Sequence, residues 1–386
     1  MISILKTTII SFILLFSVSA HAVIDDQAQT VQLKTRCTVN AAALDNCFET
    51  TKDLRNWMSA TRHPNASAPL EVQMGPGKFG RLAMTCDPAS GYTGHVSFNG
   101  AGSEQSQFEF SATGNPPYGV LTIKNCTAMA FNNLKVSSGT AGFAYGYIQW
   151  QGGGTSRWSN VDVVVSARGW EETDCGTTKG QHYWFGSRYT THAVANIGTG
   201  YKASCDDSWF FGSEITFTTQ ILGIYGGGSN GSFNTLVATN NTELHVYGSV
   251  IRALSTAGNQ TGNMTAVSSS AGSKVHLHGT GIDVVVKDDR NAVALSASSG
   301  ATIHANQSSY FMTAPTGTVT RIANNGGTVR APYLWEEGAT PPNVTTTSGA
   351  DMAVITATTD GQPHMVISSA NCASGWFDTV TAKCYP

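Results

Sequence analysis

The sequence predicts an all-β solenoid, in which short strands and tight turns wind into stacked coils. Four segments of the second half, 237–246, 267–277, 295–305 and 322–331, share one pattern. Each has an apolar residue, a turn rich in Gly, Ser or Asn, and then a short strand. Such repeats of under 32 residues are typical of solenoid coils. The composition agrees, because Gly contributes 41 of 386 residues and Pro only 12, and no long helical periodicity follows residue 60.

The repeats also place polar residues in register. His245, His276 and His304 occupy the same repeat position, 31 and 28 residues apart, and Arg330 takes that position 26 residues further on. Side chains alternate along a strand, so each repeat has an inward and an outward set. We expect the inward set to be Leu244, Val246, Val275, Leu277, Ile303 and Ala305, and the outward set to be His245, Tyr247, His276, His278, His304 and Asn306.

Residues 1–22 predict a secretory signal peptide. Lys6 precedes an apolar run over 9–16, and Ala20-His21-Ala22 is an A-x-A cleavage site. The run is too short to span a bilayer, and no later segment is long enough. We therefore expect a secreted or periplasmic protein without a membrane span. Charged residues are only 12% of the chain and form no basic tract, so nucleic acid is not an expected partner.

The cysteine content predicts disulfides. All eight cysteines follow residue 22, and an even number in an exported chain indicates a disulfide framework. Eight cysteines allow 105 connectivities. Pairing by neighbourhood gives Cys37–Cys47, Cys86–Cys126, Cys175–Cys205 and Cys372–Cys384. A zinc site would need closer Cys-x₂₋₄-Cys spacing.

An N-terminal cap is expected over 23–69. Residues 40–60 predict an amphipathic helix, capped by Asn40 and stopped by His63-Pro64. Its apolar face would be Leu44, Cys47, Phe48, Leu54, Trp57 and Met58. The end of a solenoid must be covered, and an amphipathic helix can do this.

Strand signals begin at residue 70 and extend the solenoid to 335. A fixed order of elements follows the helix: an alternating strand over 70–74, the turn GPGKF (75–79), a strand over 95–98, FNGAG (98–102) and a strand over 119–123. This order resembles the opening of right-handed parallel β-helix proteins of the pectin-lyase-like superfamily. The later phrase LSASSGATIHA (295–305) is similar to autotransporter passenger repeats. The resemblance covers roughly 40–335 and implies a right-handed parallel β-helix, but fold alone does not give function.

Residues 336–386 predict a polar linker and a C-terminal unit. The linker contains Pro341-Pro342, and the unit has two short strands and the Cys372–Cys384 loop. It could cover the second end of the solenoid or form a small appended module, and we favour a disulfide cap.

The stretch 145–214 is a candidate site because it holds five of the eight tryptophans. Exposed aromatic rings stack on the apolar faces of sugars, while charged side chains bond hydroxyl or uronate groups. The expected substrate-binding residues are Trp150, Trp158, Trp170, Trp184, Tyr189 and Trp209. The alternative is an irregular section that packs these rings under long loops.

The same stretch could support catalysis. A uronate lyase needs a cation, such as Arg168 or Arg188, and a base, for which Lys202, His182, His192 and Tyr189 are candidates. A glycosidase needs two carboxylates. Asp206-Asp207 is similar to the paired aspartates of β-helix polygalacturonases, although neighbouring strand residues face opposite ways. The remaining motifs of polygalacturonases and pectinesterases are absent from the sequence.

Two further features could hold ions. The histidine ladder, which consists of His245, His276, His278 and His304 with Tyr247 and Arg330, could chelate Zn²⁺ or Cu²⁺, form a pH-dependent anion surface, or be a solvated polar ladder. No Asp, Glu or Cys is expected to join that row. Asp288-Asp289-Arg290-Asn291 could hold Ca²⁺ or be a solvated turn, and it lacks EF-hand spacing. We expect the solvated alternatives, and no metal or other cofactor.

The sequence therefore favours a secreted β-helix protein that recognises extracellular carbohydrate, a polysaccharide or a glycan surface, through its middle coils. Two alternatives remain open. One is a polysaccharide lyase or hydrolase that acts on an acidic polysaccharide, and the other is a structural or adhesive surface protein.

Overall fold

A computed structural model shows a parallel β-helix whose coils each contain three strands. The structure describes residues 29–37, 47–110, 119–138, 147–166, 168–177, 179–193, 198–220, 231–336, 344–346, 351–357, 363–366, 376–378 and 383–385. The expected signal peptide, Asn40, Leu44 and Cys372 lie outside these residues. Strands at equivalent positions of successive coils pair in parallel, so the solenoid has three walls. We name these walls the first, second and third face, in the order in which most coils visit them.

The strands of the first face carry the histidine ladder. They are Gln29–Leu33, Leu70–Met74, Val96–Gly100, Ala128–Asn132, Thr155–Ser159, Gln181–Phe185, Asp207–Phe211, Glu243–Tyr247, Lys274–His278, Thr302–Asn306 and the start of Thr328–Glu336. Cys47–Phe48 also pairs in parallel with the first of these strands.

The second face follows the first after a short turn. Its strands are Gly77–Phe79, Ser106–Glu109, Lys135–Ser137, Asp162–Ser166, Arg188–His192, Glu214–Thr218, Val250–Leu254, Gly281–Val285, Ser308–Thr313 and the end of Thr328–Glu336.

The third face completes each coil. Its ten strands are Leu82–Thr85, Leu121–Lys124, Ile148–Gln151, Trp170–Thr173, Thr199–Ala203, Phe233–Ala238, Asn263–Ser269, Asn291–Ser298, Val319–Asn325 and Val344–Thr346.

Pairing changes direction near the C-terminus. Asp351–Ala357 adds in parallel to Thr328–Glu336, and Pro363–Val366 then pairs antiparallel with Asp351–Ala357. Trp376–Asp378 and Lys383–Tyr385 form a separate antiparallel pair. Among the described strands, the parallel stacking of the first face thus stops at Asp351–Ala357.

The described helices are short and lie near the N-terminus. An α-helix, Thr51–Trp57, continues as the π-helix Met58–Arg62, and Pro88–Ser90 is a 3-10 helix. The prediction of a helix over 40–60 was wrong at its N-terminal end, because Cys47–Phe48 is a strand. Thr50 caps the helix instead: its hydroxyl oxygen accepts a hydrogen bond from the Asp53 backbone N–H at 3.0 Å.

The remaining features of the predicted cap agree with the structure. The π-helix ends at Arg62, and His63 adopts a left-handed conformation with φ of 44°. Leu54 and Met58 are fully buried and join the hydrophobic core of the coils. The helix thus packs its apolar side on the solenoid, as the sequence analysis expected of a cap.

The predicted register and alternation of the histidine repeats are confirmed. His245 pairs with His276, His276 with His304, and His304 with Arg330. The six residues expected to point inward have no solvent exposure, and the six expected to point outward are partly exposed.

The turn between the first and second face repeats one conformation in coil after coil. A single residue takes a left-handed conformation with φ between 50° and 57° in seven turns. These residues are Asn133, Asn160, Gly186, Gly212, Gly248, Gly279 and Gln307. Gly and Asn tolerate this conformation best. Buried hydroxyls follow and link the coils: the backbone N–H of Ser187 donates to Ser213 Oγ, and that of Ser213 donates to Ser249 Oγ.

The core changes along the axis. In the earlier and middle coils, one inward position of the first face is filled by stacked rings, which we name the inner aromatic column. Its members are Phe98, Phe131, Trp158, Trp184 and Phe210, with ring centroids 4.2–5.8 Å apart. Val246, Leu277 and Ala305 fill the same position in the next coils.

Three of the four predicted disulfides are confirmed. They are Cys37–Cys47, Cys86–Cys126 and Cys175–Cys205. The fourth, Cys372–Cys384, falls outside the described part of the chain because Cys372 is not described. Disulfides of this number are typical of chains that fold in an oxidising compartment.

Candidate functional site

Five of the six aromatic residues expected to bind substrate lie inside the solenoid. Trp150, Trp158, Trp170, Trp184 and Tyr189 are each at most 1% exposed, so the expectation that they contact a ligand was wrong. Their strands alternate like all others, and these rings occupy inward positions. The cross-section of the middle coils is filled by rings stacked on rings, which composition alone did not reveal. Trp209 occupies an outward position and is partly exposed.

Of the six residues expected to act in catalysis, the structure brings together only His182 and Asp206, and both are buried. Arg188 lies on the second face, 3.6 Å from Asp162, and Lys202 is exposed on the third face. Arg168 precedes a strand of the third face and pairs with Glu171 at 2.8 Å. Asp207 lies on the first face, whereas Asp206 and His182 are buried. Neighbouring residues face opposite ways, so Asp206-Asp207 cannot act as a carboxylate pair on one surface.

The interior instead holds a buried polar cluster, which we define as Glu172, His182 and Asp206. His182 Nε2 lies 3.2 Å from Asp206 Oδ2 and 3.6 Å from Glu172 Oε1. One carboxylate oxygen of Glu172 accepts hydrogen bonds from three consecutive backbone N–H groups, 204–206, at 2.7, 2.7 and 3.1 Å. Asp206 Oδ1 accepts from the Gly180 N–H at 2.7 Å. Buried charges are tolerated when they are paired and hydrogen-bonded in this way.

Two tryptophan side chains beside the buried polar cluster add hydrogen bonds to it, one directly and one through Ser156. The Trp170 indole N–H donates to Glu172 Oε1 at 2.9 Å, and the Trp158 indole N–H donates to Ser156 Oγ at 2.7 Å. That hydroxyl also lies 2.7 Å from His182 Nδ1. Burial raises the pKa of Glu172, while His182 and the backbone N–H donors oppose the shift. All three members are at most 6% exposed, so the cluster lies inside the solenoid and does not form part of the outer surface.

The exposed counterpart is a row of rings on the outside of the first face, which we name the ring strip. Its members are Tyr183, Phe185, Trp209, Phe211, His245, Tyr247, His276 and His278. They form two columns across four paired strands, and all are partly exposed. Of the first half of the strip, Trp209 was expected from the sequence as a binding residue, but Tyr183, Phe185 and Phe211 were not. A signal was present: one coil before His245 the same register position is Trp209, and 26 residues earlier it is Tyr183.

Rings in each column of the ring strip stack face to face. In one column the centroids of Tyr183, Trp209, His245 and His276 are 5.0, 5.3 and 4.7 Å apart, with interplanar angles of at most 19°. In the other, the four rings from Phe185 to His278 are 5.0–5.2 Å apart. Neighbours cover the ring faces, so the rings present their edges to solvent. The strip is therefore a flat surface of C–H edges interrupted by nitrogen and hydroxyl groups.

Charged side chains border one side of the ring strip. Lys179 Nζ contacts Asp207 Oδ1 at 3.1 Å, and Lys274 Nζ contacts Glu243 Oε1 at 2.8 Å. Glu243 Oε2 also lies 3.5 Å from His245 Nε2. The expectation that no acidic residue joins the histidine row was therefore wrong, because Glu243 precedes His245 by two residues and shares its face.

Three imidazoles of the ladder, those of His245, His276 and His304, have lowered pKa values. Burial against neighbouring rings, reinforced by the charges of His245 and His304, lowers the pKa of His276 to about 4. Burial also lowers the pKa of His245, against the opposing effect of Glu243. For His304, burial acts first and the Arg330 charge second. At neutral pH these rings are uncharged and have basic nitrogens.

A groove of about 540 Å³ opens beside the same face. Its lining residues are Pro88, Asn125, Cys126, Thr127, Gly152, Gly153, Gly154, Thr155, Lys179 and Gly180. Coils approach closely here, since a Cβ on Gly180 would lie 2.0 Å from the Gly154 carbonyl oxygen. Because Thr155 and Lys179 border the first face, the groove opens next to the start of the ring strip.

The Asp288-Asp289 turn is not the solvated loop that was expected. Asp288 and Arg290 are both buried and form an ion pair, and Arg290 Nε donates to the Gly231 carbonyl at 2.9 Å. Asp289 accepts a hydrogen bond from the Thr316 hydroxyl at 2.7 Å. Both carboxylates thus have protein partners, which is consistent with a structural turn.

Comparisons with known proteins add little beyond the fold. No protein-family model and no curated protein sequence matches the chain. Among solved structures, the chain is similar to a pectin methylesterase from carrot with 9% identity and a TM-score of 0.40, covering 86% of this chain and 90% of that one. Likeness at this level does not extend to activity, substrate or site residues. None of the helices in the described ranges is both long and apolar enough to cross a bilayer.

Proposed function

We propose that this protein is exported and binds an extended extracellular polysaccharide along the ring strip. The observation that carries the proposal is the pair of ring columns, partly exposed and in register on four successive coils of one flat face. A contiguous apolar surface with a polar border is typical of an interaction site. The three disulfides support an oxidising, extracytoplasmic environment.

The geometry of the ring strip suits a chain ligand better than a single small molecule. Equivalent rings repeat at the strand spacing of about 4.8 Å, so contacts recur along the solenoid axis. The C–H edges supply apolar contact, and polar atoms such as the Trp209 indole N–H can bond sugar hydroxyls. Neighbouring ring stacks fix the side chains, so little conformational freedom is lost on binding.

The charge balance of this face favours a glycan of low charge. The carboxylates of Asp207 and Glu243 contact Lys179 and Lys274, respectively. Because each lysine is matched by a carboxylate, these pairs leave no excess positive charge that would attract a uronate polymer. Lyase or hydrolase action is less favoured, because the residues proposed for it lie on different faces or in the core.

Binding assays with the secreted form of the chain test this proposal. Immobilised neutral and acidic polysaccharides would be titrated with the wild type and with Trp209→Ala/Phe211→Ala. We expect the double variant to weaken binding at least about tenfold through loss of central aromatic contacts. Phe311→Ala is the matched control, because Phe311 is also a partly exposed aromatic residue but lies on the second face.

The same samples would be assayed for reducing ends and unsaturated products. Binding that is equally strong in the double variant and the control would contradict the ring strip as the contact surface. Product release by the wild type would replace the binding function with an enzymatic one. The absence of both binding and product across neutral and acidic polysaccharides would contradict the carbohydrate proposal as a whole.

A further inference from the structure

We propose that Glu243, His245 and His276 form a binding site for a divalent transition-metal ion, with Zn²⁺ as the reference ion. The site stands independently of the proposed glycan binding. It combines one carboxylate with two imidazoles, a ligand set that suits Zn²⁺ and Cu²⁺.

The backbone brings the three side chains together. Glu243 and His245 are two residues apart on one strand and therefore share its outer side. His276 is the register partner of His245 on the next coil. Because parallel strands fix this register through a ladder of backbone hydrogen bonds, the three positions are preorganised before any ion binds.

The distances are close to those that an ion requires. One ligand atom from each of the three side chains lies within 4.8 Å of the other two. Donor atoms around tetrahedral zinc, bound at about 2.0–2.1 Å, are separated by roughly 3.4 Å. Glu243 Oε2 and His245 Nε2 are already 3.5 Å apart. The remaining adjustment is therefore mainly a rotation of the His276 ring, whose side chain is partly exposed.

His276 has to turn out of its stack on His245, since the planes of the two rings differ by only 7°. The ladder already contains a ring in that turned state: His304 lies at 86° to His276, with centroids 5.2 Å apart. An imidazole on the outer side of this face thus already adopts an orientation turned out of the stack, one coil after His276.

The ammonium group of Lys274 pairs with the Glu243 carboxylate and would therefore compete with a metal ion for this ligand. The ammonium group contacts Glu243 Oε1 at 2.8 Å, and the lysine side chain is 54% exposed. An exposed ion pair of this kind contributes little, so a metal ion can replace the lysine at the carboxylate while the ammonium group returns to water. Three protein ligands leave a fourth position open toward solvent, as in zinc sites that accept water or an added ligand.

A neighbouring histidine, His278, provides the control. His278 lies on the same strand as His276 and is also outward, but it stacks on Tyr247 in the other column, with centroids 5.0 Å apart. Substituting His278 therefore removes an exposed imidazole from the face without removing a proposed ligand.

Calorimetric titration of the full untagged protein with Zn²⁺ tests the site. We expect one ion per chain, with Glu243→Gln, His245→Asn and His276→Asn each weakening the affinity at least about tenfold. His278→Asn is expected to stay within about threefold of the wild type. Absence of stoichiometric binding by the wild type, or an equal loss in His278→Asn and His276→Asn, would overturn the proposal.

A spectroscopic measurement with Cu²⁺ locates the ion. The Trp209 ring stacks on His245 at 5.3 Å, so bound Cu²⁺ should quench Trp209 fluorescence. The quenching is obtained as the difference between the wild type and Trp209→Phe. It should disappear in His245→Asn and persist in His278→Asn, and the reverse pattern would assign the ion to another site.

Discussion

The middle coils (147–220) and the later coils (231–331) have the same three-strand backbone but different interiors. The middle coils hold the buried polar cluster and the last three rings of the inner aromatic column (Trp158, Trp184 and Phe210), whereas aliphatic side chains such as Leu244 and Leu277 are prominent in the later coils. The ring strip nevertheless crosses the boundary, from Tyr183 to His278. Because its rings continue while the packing beneath them changes, core packing does not account for the strip, which supports a role for the outer surface.

The largest expected effect concerns the interior of the middle coils. Trp184→Ala removes an indole that stacks on Trp158 at 4.6 Å and is fully buried. We expect a loss of about 4 kcal/mol in the free energy of unfolding, from lost burial and the resulting cavity. Urea unfolding followed by circular dichroism measures it. The control is Trp209→Ala, because Trp209 points outward from the next strand of the first face. This variant should lose less than about 1 kcal/mol in the free energy of unfolding. Similar losses in the two variants would contradict the assignment of Trp184 to the core and Trp209 to the surface.

The buried polar cluster gives the next largest effect. Glu172→Gln keeps the shape of the side chain but removes the charge that faces His182 and three backbone N–H groups. We expect a loss of about 3 kcal/mol, because a buried charge network is left unbalanced. Its control is Glu171→Gln, one residue earlier, where the partly exposed pair with Arg168 contributes below about 1 kcal/mol. Equal stability of Glu172→Gln and the wild type would contradict this expectation, because it would mean that the charge of Glu172 is not needed in the buried polar cluster.

The histidine ladder should make the later coils sensitive to acid. A histidine with a lowered pKa binds fewer protons when folded, so its contribution to stability is present above pH 6.5 and is lost as pH falls. For His276 the loss extends down to its pKa of about 4. After allowance for solvent screening, we expect the ladder to reduce the free energy of unfolding by about 1–2 kcal/mol between pH 7 and pH 4.

Thermal unfolding from pH 7 to pH 4, in the presence of a chelator, measures this loss. The raised pKa of Glu172 acts in the opposite direction, because protonation favours its buried form. Replacing His276 by Asn should flatten the pH dependence. A steeper dependence in His276→Asn than in the wild type would contradict the assignment to the ladder.

The smallest expected effect tests the turn that both regions share. Gly248 has φ of 52° and open space where a Cβ would be, so Gly248→Ala should cost only the backbone strain of about 1 kcal/mol. Gly248→Asn should cost a few tenths, because Asn tolerates this conformation and occupies the same turn at Asn160. Chemical unfolding of both variants measures the difference, and equal costs would mean that the turn conformation is not the determinant.

The sequence was sufficient where the alternation of apolar and polar residues was simple, although the histidine repeats differ in length. The register of His245, His276, His304 and Arg330 followed from the repeats, and neighbourhood pairing found three disulfides. The helix start was wrong because an apolar periodicity alone does not distinguish a short strand at Cys47–Phe48 from a first helical turn.

The candidate site was harder to predict than the fold. Rich aromatic content in the middle coils indicated a binding surface, but content does not reveal which way a side chain points. Trp184 and Trp209 lie 25 residues apart, one short of the 26 that separate register partners Trp184 and Phe210. That single residue puts one tryptophan in the core and the other on the surface.

The antiparallel turn-back near the C-terminus has a consequence for self-association. A stack of parallel strands has a terminal edge that could template a second molecule and propagate into fibrils. Here Pro363–Val366 runs against Asp351–Ala357 and begins with a residue that has no amide hydrogen to donate. Among the described strands, this reversal of direction and the proline at the start of the last strand disfavour in-register addition of a second molecule at this end of the first face.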